Sequence, residues 1–332
     1  MKILTIGTSI ITSRFIDALS KSNESKVTAI YSRDMSKAIS LAYPLGALAF
    51  DNLDKALQSN EVDTVYVASV NHLHAKHAIL ALNAKKHVIL EKPVTSNDAE
   101  FRSILECAKQ NGVFVFEAIT TLHLPNYHWI KEQLHKLGSI KHVYASYHQH
   151  SSKYLAYLNH ENPNVFNLKT SGGCLVDLNV YNLHFILSLW PKPLKGTYTP
   201  ILGHNGVDVS GTVVFTYEDF TAIASASKVH EGGQRVIIEG EKGVIECQYA
   251  ANKLTQCILK SPEEEVISPH DQESNALVYE IQKFEELIKR NQVDKIHDLN
   301  VQSLNTIHWM TKVRKEAKLW FEGEADETLL EN

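Results

Sequence analysis

The first 120 residues alternate short, continuous apolar runs with stretches of helical spacing, and no other feature limits the fold as tightly. The runs are Lys2–Ile6, Val27–Tyr31, Thr64–Ala68, His87–Leu90 and Val113–Glu117. Between them, Arg14–Ser22, Ser36–Tyr43, Leu53–Gln58, His74–Ala84 and Asp98–Gln110 carry apolar residues at helical spacing. Ser36 and Asn97 are read as helix N-caps. Strands that are apolar along their whole length and separated by helices build a parallel sheet covered on both faces. Right-handed crossovers then give an open, doubly wound sheet of the Rossmann type.

From about Leu122 the pattern changes. A helix (Asn126–Lys136) precedes a strand (Lys141–His148), a polar loop (Ser151–Ser171) and a helix over about Cys174–Leu189. Strands then follow in close succession at Gly211–Tyr217, Thr221–Val229, Gln234–Glu239, Val244–Tyr249 and Lys253–Leu259. Glu231-Gly232-Gly233 and Gly240-Glu241-Lys242-Gly243 read as turns between the later ones, which makes the sheet mostly antiparallel. Helices over about Glu273–Arg290 and Leu299–Trp320 follow, and the acidic tail Glu322–Asn332 is expected to fray. At ~100–200 residues per domain, 332 residues divide into two. The expectation is an α/β chain with an N-terminal Rossmann domain over residues 1–120. A C-terminal α+β domain, built on a mostly antiparallel open sheet, covers residues 121–332.

Composition removes several function classes. Apolar residues are 44% and charged residues 21%, which is the balance of a globular chain. The 33 basic and 38 acidic residues are spread along the sequence, so no basic stripe offers itself to nucleic acid. No apolar run approaches the ~18–20 residues of a membrane span. Met1-Lys2-Ile3-Leu4-Thr5-Ile6-Gly7 reads as a strand, not a signal peptide. Cys107, Cys174, Cys247 and Cys257 are widely separated with no CxxC pair, so a reduced, cytoplasmic protein without a metal site is expected.

Four places carry chemistry. Gly7-Thr8-Ser9-Ile10-Ile11-Thr12 occupies the turn where a dinucleotide fold has Gly-x-Gly-x-x-Gly. Only Gly7 keeps its glycine, while Ser9 and Thr12 are small hydroxyl residues that can bond phosphate oxygens. Ser32 and Arg33 end the second strand, where NAD-preferring sites place an acid for the ribose hydroxyls. A guanidinium there instead suits a 2′-phosphate, which favours NADP while leaving NAD possible. Glu91-Lys92-Pro93 follows the fourth apolar run, where open sheets face their ligand crevice. Finally, Gly172-Gly173 precedes Asp177, Tyr181 and His184, spaced for one face of an otherwise apolar helix. Buried polar groups are costly unless paired, so this stripe must meet partners or line a cavity.

Glu91-Lys92-Pro93 together with Gly172-Gly173-x-x-x-Asp177-x-x-x-Tyr181 resembles the Gfo/Idh/MocA oxidoreductase family. Asn71 and His74 in the loop after the third apolar run, and Glu117-Ala118 after the last Rossmann strand, resemble it too. The Asp-x-x-x-Tyr form is similar to the branch with trans-dihydrodiol dehydrogenase, xylose dehydrogenase and glucose-fructose oxidoreductase. The resemblance implies an NAD(P)-dependent dehydrogenase or reductase that exchanges hydride with a sugar, polyol or diol hydroxyl. It implies Tyr181 as acid/base, Lys92 beside nicotinamide and the reacting oxygen, and Asp177 orienting substrate hydroxyls. Gly7, Thr8, Ser9, Ile10, Thr12, Ser32, Arg33, Asn71, His74, Glu91, Lys92 and Pro93 are the expected cofactor side. Lys92, Glu117, Asp177, Tyr181 and His184 are the expected substrate side. A tyrosine with reference pKa ~10 needs a nearby cation to act near neutrality. Lys92 either supplies that cation or is itself lowered by burial. The alternative is a dinucleotide-binding sensor of the same fold that does not turn over. Val213, Val214, Ile223 and Ile237 in the second sheet point to a homo-oligomer, a dimer or higher.

Overall fold

The computed structural model describes residues 1–22 and 24–324 and divides them into two compact units. The first contains Met1–Ile119 and Glu273–Leu304, the second Thr120–Gln272 and the chain from Asn305 on.

In the first unit, strands β1 (Lys2–Ile6), β2 (Lys26–Tyr31), β3 (Leu48–Phe50), β4 (Thr64–Val67), β5 (His87–Glu91) and β6 (Val115–Ala118) form one parallel sheet in the order β3-β2-β1-β4-β5-β6. Helices α1 (Ile10–Leu19), α2 (Met35–Ala42), α3 (Leu53–Leu57), α4 (His74–Asn83) and α5 (Asp98–Asn111) connect them. This is the expected doubly wound sheet, with the order reversing at β1/β4. Asn97 caps α5 through Glu100 N as expected. The cap of α2 is Asp34 rather than Ser36, because the Asp34 carboxylate accepts from the Ser36 amide.

The second unit begins with α6 (Pro125–Gln133) and β7 (Ile140–His148). The span expected as a loop contains a short helix, α7 (Tyr154–Leu158), and 3₁₀ turns at Asn164–Phe166 and Leu168–Thr170. A π-helical turn (Leu175–Asn179) leads into α8 (Val180–Leu189). Strands β8 (Lys195–Leu202), β9 (Asp208–Thr216), β10 (Thr221–Ser227), β11 (Gly232–Gly240), β12 (Gly243–Gln248), β13 (Thr255–Lys260) and β14 (Glu265–Ile267) complete an eight-stranded sheet with β7. Its pairs are antiparallel apart from β7–β10. Val214, Ile223, Tyr144 and Ile237 line up across β9, β10, β7 and β11 and are all half-buried. Val213 points the other way and is fully buried, as the two-residue period of a strand requires.

The boundary expected at residue 120 marks only the first crossing between units. Helix α9 (Leu277–Lys289) returns to the first unit, where Leu277, Ile281, Phe284 and Leu287 join the core of Phe15, Tyr66, Ile89 and Phe116. Helix α10 (Val293–Glu316) begins in the first unit and ends in the second. The near end of the expected fraying tail is anchored: Glu324 accepts from the buried Arg314 guanidinium at 2.6 and 2.8 Å. Residues 325–332 of that tail lie outside the described residues. No helix among the described residues is long and apolar enough to cross a membrane.

Candidate functional site

The first unit gathers its candidate residues at the C-terminal ends of its strands. Gly7 follows β1 with φ +115°, and a Cβ there would meet the Ala68 carbonyl oxygen at 2.5 Å. Only glycine allows this approach of the turn to the end of β4. Ser9 stands at the N-cap of α1, but its side chain makes no capping bond and the first turn holds no acid. Ile10 is 80% exposed beside it. An uncapped helix start with an uncovered apolar residue suits the pyrophosphate and flank of a dinucleotide. Thr8 is half-buried and Thr12 fully buried, which places Thr12 in the packing of α1 rather than on a ligand.

Ser32 and Arg33 close β2, where Ser32 N donates to the Phe50 carbonyl and Arg33 is exposed. Half-buried His77, whose Nδ1 lies 2.9 Å from Ser69 Oγ, is pushed down to about 4. Burial is the main cause, and the permanent positive charges of Lys76 and Arg33 push the same way. A positive field at this end of the sheet complements a phosphate. The chain's residues therefore fit a phosphorylated dinucleotide at the turn and at the end of β2.

The turn Glu91-Lys92-Pro93-Val94 is held from all sides. Lys92 N donates to Glu91 Oε2 at 3.2 Å and Val94 N to Glu117 Oε1 at 2.9 Å. The ring nitrogens of His74 lie 2.9 Å from the Pro93 carbonyl and 3.0 Å from the Ser69 carbonyl. Tyr66 donates its hydroxyl to Glu91 Oε1. Glu91, Pro93, Glu117 and His74 are all buried, and Lys92 and Asn71 are the half-buried members of the group. Burial pushes the Glu91 carboxyl up and the His74 imidazole down. Glu91, His74 and Glu117, expected on the ligand side, thus form the scaffold that presents Lys92.

In the second unit, residues 171–187 are buried apart from Asp177 and Tyr181, which are half-buried. His184 is 1% exposed and lies within the packed helix, so the expected three-residue stripe reduces to two. Tyr181 and His184 both lie in α8, where a spacing of three falls short of a full turn of ~3.6 residues and sets His184 toward the packed side, while Asp177 lies on the π-helical turn Leu175–Asn179. The glycine pair before it is sterically required. A Cβ on Gly172 would meet the Asn164 carbonyl oxygen at 2.3 Å, and one on Gly173 (φ +136°) would meet Asp208 Oδ1 at 2.0 Å. Buried Asp208 accepts from Leu175 N and from the Tyr198 hydroxyl, both at 2.6 Å. Its carboxyl is pushed up to about 6 by burial, against these donors and Lys228. Tyr181 packs beside Tyr147, Cys174 and Leu178, with the Tyr147 ring centroid 5.9 Å away.

One further residue, Lys228, escaped sequence reasoning. It is 1% exposed and donates to Asp177 Oδ2 at 2.6 Å. Asn179 donates to the Ala224 carbonyl at 3.0 Å and Asn182 to Asn179 Oδ1 at 2.9 Å, which ties the helix start to β10. The only advance sign of Lys228 was its place at the end of an apolar strand. Among the described residues, no cluster of three or more His, Cys, Asp or Glu could hold a metal ion.

Comparison with known proteins agrees across the whole length. A family model described as "Oxidoreductase family, NAD-binding Rossmann fold" matches residues 1–119, and one described as "GFO/IDH/MocA C-terminal domain" matches residues 130–246. The scyllo-inositol 2-dehydrogenase (NADP(+)) IolU of Bacillus subtilis (strain 168) is 34% identical, over 94% of this chain and 95% of that protein. The uncharacterized oxidoreductase YgjR of Escherichia coli (strain K12) is 33% identical, over 98% and 99%. Among solved structures, KijD10, a 3-ketoreductase from Actinomadura kijaniata in complex with NADP and TDP-benzene, superposes with a TM-score of 0.82 at 21% identity, covering 94% of this chain and 96% of that one.

Proposed function

Since the chain belongs to the Gfo/Idh/MocA oxidoreductase family, we propose that it is an NADP-dependent dehydrogenase or reductase acting on a hydroxyl of a cyclic polyol, sugar or other vicinal diol. The observation that carries this reading is the pair Asp177 and Tyr181, which alone reach the surface from a stretch of seventeen otherwise buried residues, 171–187. A carboxylate and a phenol one helical turn apart suit a substrate with several hydroxyls. The relative that acts on scyllo-inositol with NADP(+) supports the same substrate class and cofactor.

Nicotinamide, when bound, supplies the hydride acceptor or donor. The protein's share is the proton and the placement. Alcohol oxidation releases a proton that needs an acceptor within hydrogen-bond reach, and Tyr181 Oη takes that part. Asp177 accepts hydrogen bonds from neighbouring substrate hydroxyls. Lys92, presented by Glu91, Glu117 and His74, supplies the cation that a phenol with an ordinary pKa of ~10 requires near neutrality. Arg33 pairs with the 2′-phosphate, and the start of α1 receives the pyrophosphate. The row Val214, Ile223, Tyr144 and Ile237 is assigned to contact with a second copy of the chain, which sedimentation equilibrium tests.

Titration of nicotinamide fluorescence with NADPH and NADH tests the cofactor half. A panel containing scyllo-inositol, myo-inositol, glucose, xylose and a trans-diol, followed by NADPH formation, tests the substrate half. Tighter binding of NADPH and turnover of a panel member support the reading. Binding without turnover of any member would favour a non-catalytic sensor. Binding of neither cofactor would remove the reading altogether.

A further inference from the structure

Lys228 is a lysine without access to water. At 1% exposure its ammonium would be costly to bury unless all its protons met partners. They do: Asp177 Oδ2 accepts at 2.6 Å, the Val165 carbonyl accepts at 2.7 Å, and the Phe166 ring lies 4.5 Å away for a cation–π contact. An ammonium has three protons, so the set is complete. All three partners lie in two segments, the turn Asn164–Phe166 and the π-helical turn carrying Asp177. The same two segments are pressed together by Gly172 against the Asn164 carbonyl. Lys228 follows β10 directly, so the sheet fixes its origin, and its backbone amide donates to the Val209 carbonyl at 2.9 Å.

Asp177 keeps about a quarter of its side chain exposed while Lys228 keeps almost none. The pair is therefore asymmetric: one member reaches solvent and the other is enclosed behind it. We propose that Lys228 is a positioning residue for substrate binding, holding the Asp177 carboxylate ionised and in one orientation so that it accepts hydrogen bonds from substrate hydroxyls. This rests on the reading of Asp177 as a substrate-orienting residue. A mobile or protonated carboxyl would offer a weaker and less directed acceptor, because a protonated carboxyl loses acceptor capacity and a freely rotating one must be ordered on binding. Lys228 thus acts on substrate affinity through Asp177 and does not touch the reacting atoms.

The test is a double-mutant cycle on the full-length protein: wild type, Asp177→Asn, Lys228→Met and the double variant. The readouts are kcat and KM for scyllo-inositol at saturating NADP(+), or for the panel polyol with the highest kcat/KM, and the Kd of NADPH by fluorescence. Each single variant should raise KM about tenfold to a hundredfold, the size of one lost charge-assisted hydrogen bond, with the Kd of NADPH unchanged. The double variant should be no worse than Asp177→Asn, because the carboxylate through which Lys228 acts on substrate is already gone. A wild-type KM in Lys228→Met would overturn the proposal. So would a second, equal loss when Lys228→Met is added to Asp177→Asn, which marks an independent structural role. If Lys228→Met alone does not fold, the comparison of the double variant with Asp177→Asn decides by the same criterion, since it leaves no unpaired charge. A wild-type KM in Asp177→Asn is a different failure: it removes the role of Asp177 itself.

Discussion

A side chain at Gly173 would set its Cβ 2.0 Å from Asp208 Oδ1, and that contact explains why a glycine pair precedes the π-helical turn. Asp208 needs the space because its carboxylate accepts from Leu175 N inside the turn and from Tyr198 on β8. The turn, in its wider winding, brings Asp177 and Tyr181 to the surface of a stretch that is otherwise buried. A constraint at one glycine is thus transmitted to both candidate substrate residues.

Gly173→Ala should therefore cost about 2–4 kcal/mol, from the overlap with Asp208 and from a backbone angle of +136° that an L side chain seldom adopts. Urea unfolding measures it. A loss below about 0.5 kcal/mol would mean that Asp208 and the turn relax freely.

Asp208 makes stability depend on pH. Its folded pKa is raised to about 6 from 3.8, with burial as the largest cause. A raised folded pKa means the native state binds the extra proton between those values, so its stabilising effect is complete below pH 3.8 and is lost as pH rises through about 6. Asp208→Asn keeps a carbonyl acceptor but cannot ionise. Its Tm relative to wild type should rise between pH 4 and 6 and level off above 7, with a total change on the order of 3 kcal/mol. A difference that stays flat across this range would contradict the assignment.

Glu117→Ala removes the acceptor of Val94 N in a buried place, which costs about 1–3 kcal/mol. It also loosens the turn that presents Lys92. Chemical denaturation should report the first effect and a fall in kcat the second. Lost stability with unchanged kcat would reduce Glu117 to a structural part.

Arg33→Ala should weaken NADPH binding far more than NADH binding, because only NADPH carries the 2′-phosphate. Paired fluorescence titrations measure this. Equal losses for both cofactors would show that Arg33 does not read that group.

How much of this was legible in the sequence depended on what each signal encodes. Strands β1, β2, β4, β5 and β6 announced themselves because burial on both faces demands continuous apolar runs. β3 is three residues long at a sheet edge with Leu48 exposed, and β8 is an edge strand containing Pro200, so neither carries that signal. Helix α9 was foreseen as a helix, yet its return to the first core rests on long-range packing of Phe284 against Phe116. Lys92, Asp177 and Tyr181 were legible because their motifs are local. Glu91, Glu117 and His74, expected to face ligand, instead face inward onto the Lys92 turn, a direction that spacing alone does not encode. Lys228 lies 51 positions from Asp177, and a lone lysine after a strand reads as a solvated side chain until the fold brings the two together.

The most direct test of the account is NADPH formation from the polyol panel by wild type and by Tyr181→Phe, with NADPH affinity measured on both. The account predicts turnover by the wild type and a fall of about 10²–10⁴ in kcat/KM for the variant, with cofactor affinity nearly intact. Full activity in Tyr181→Phe, or a wild type that binds NADPH yet turns over no member of the panel, would contradict it.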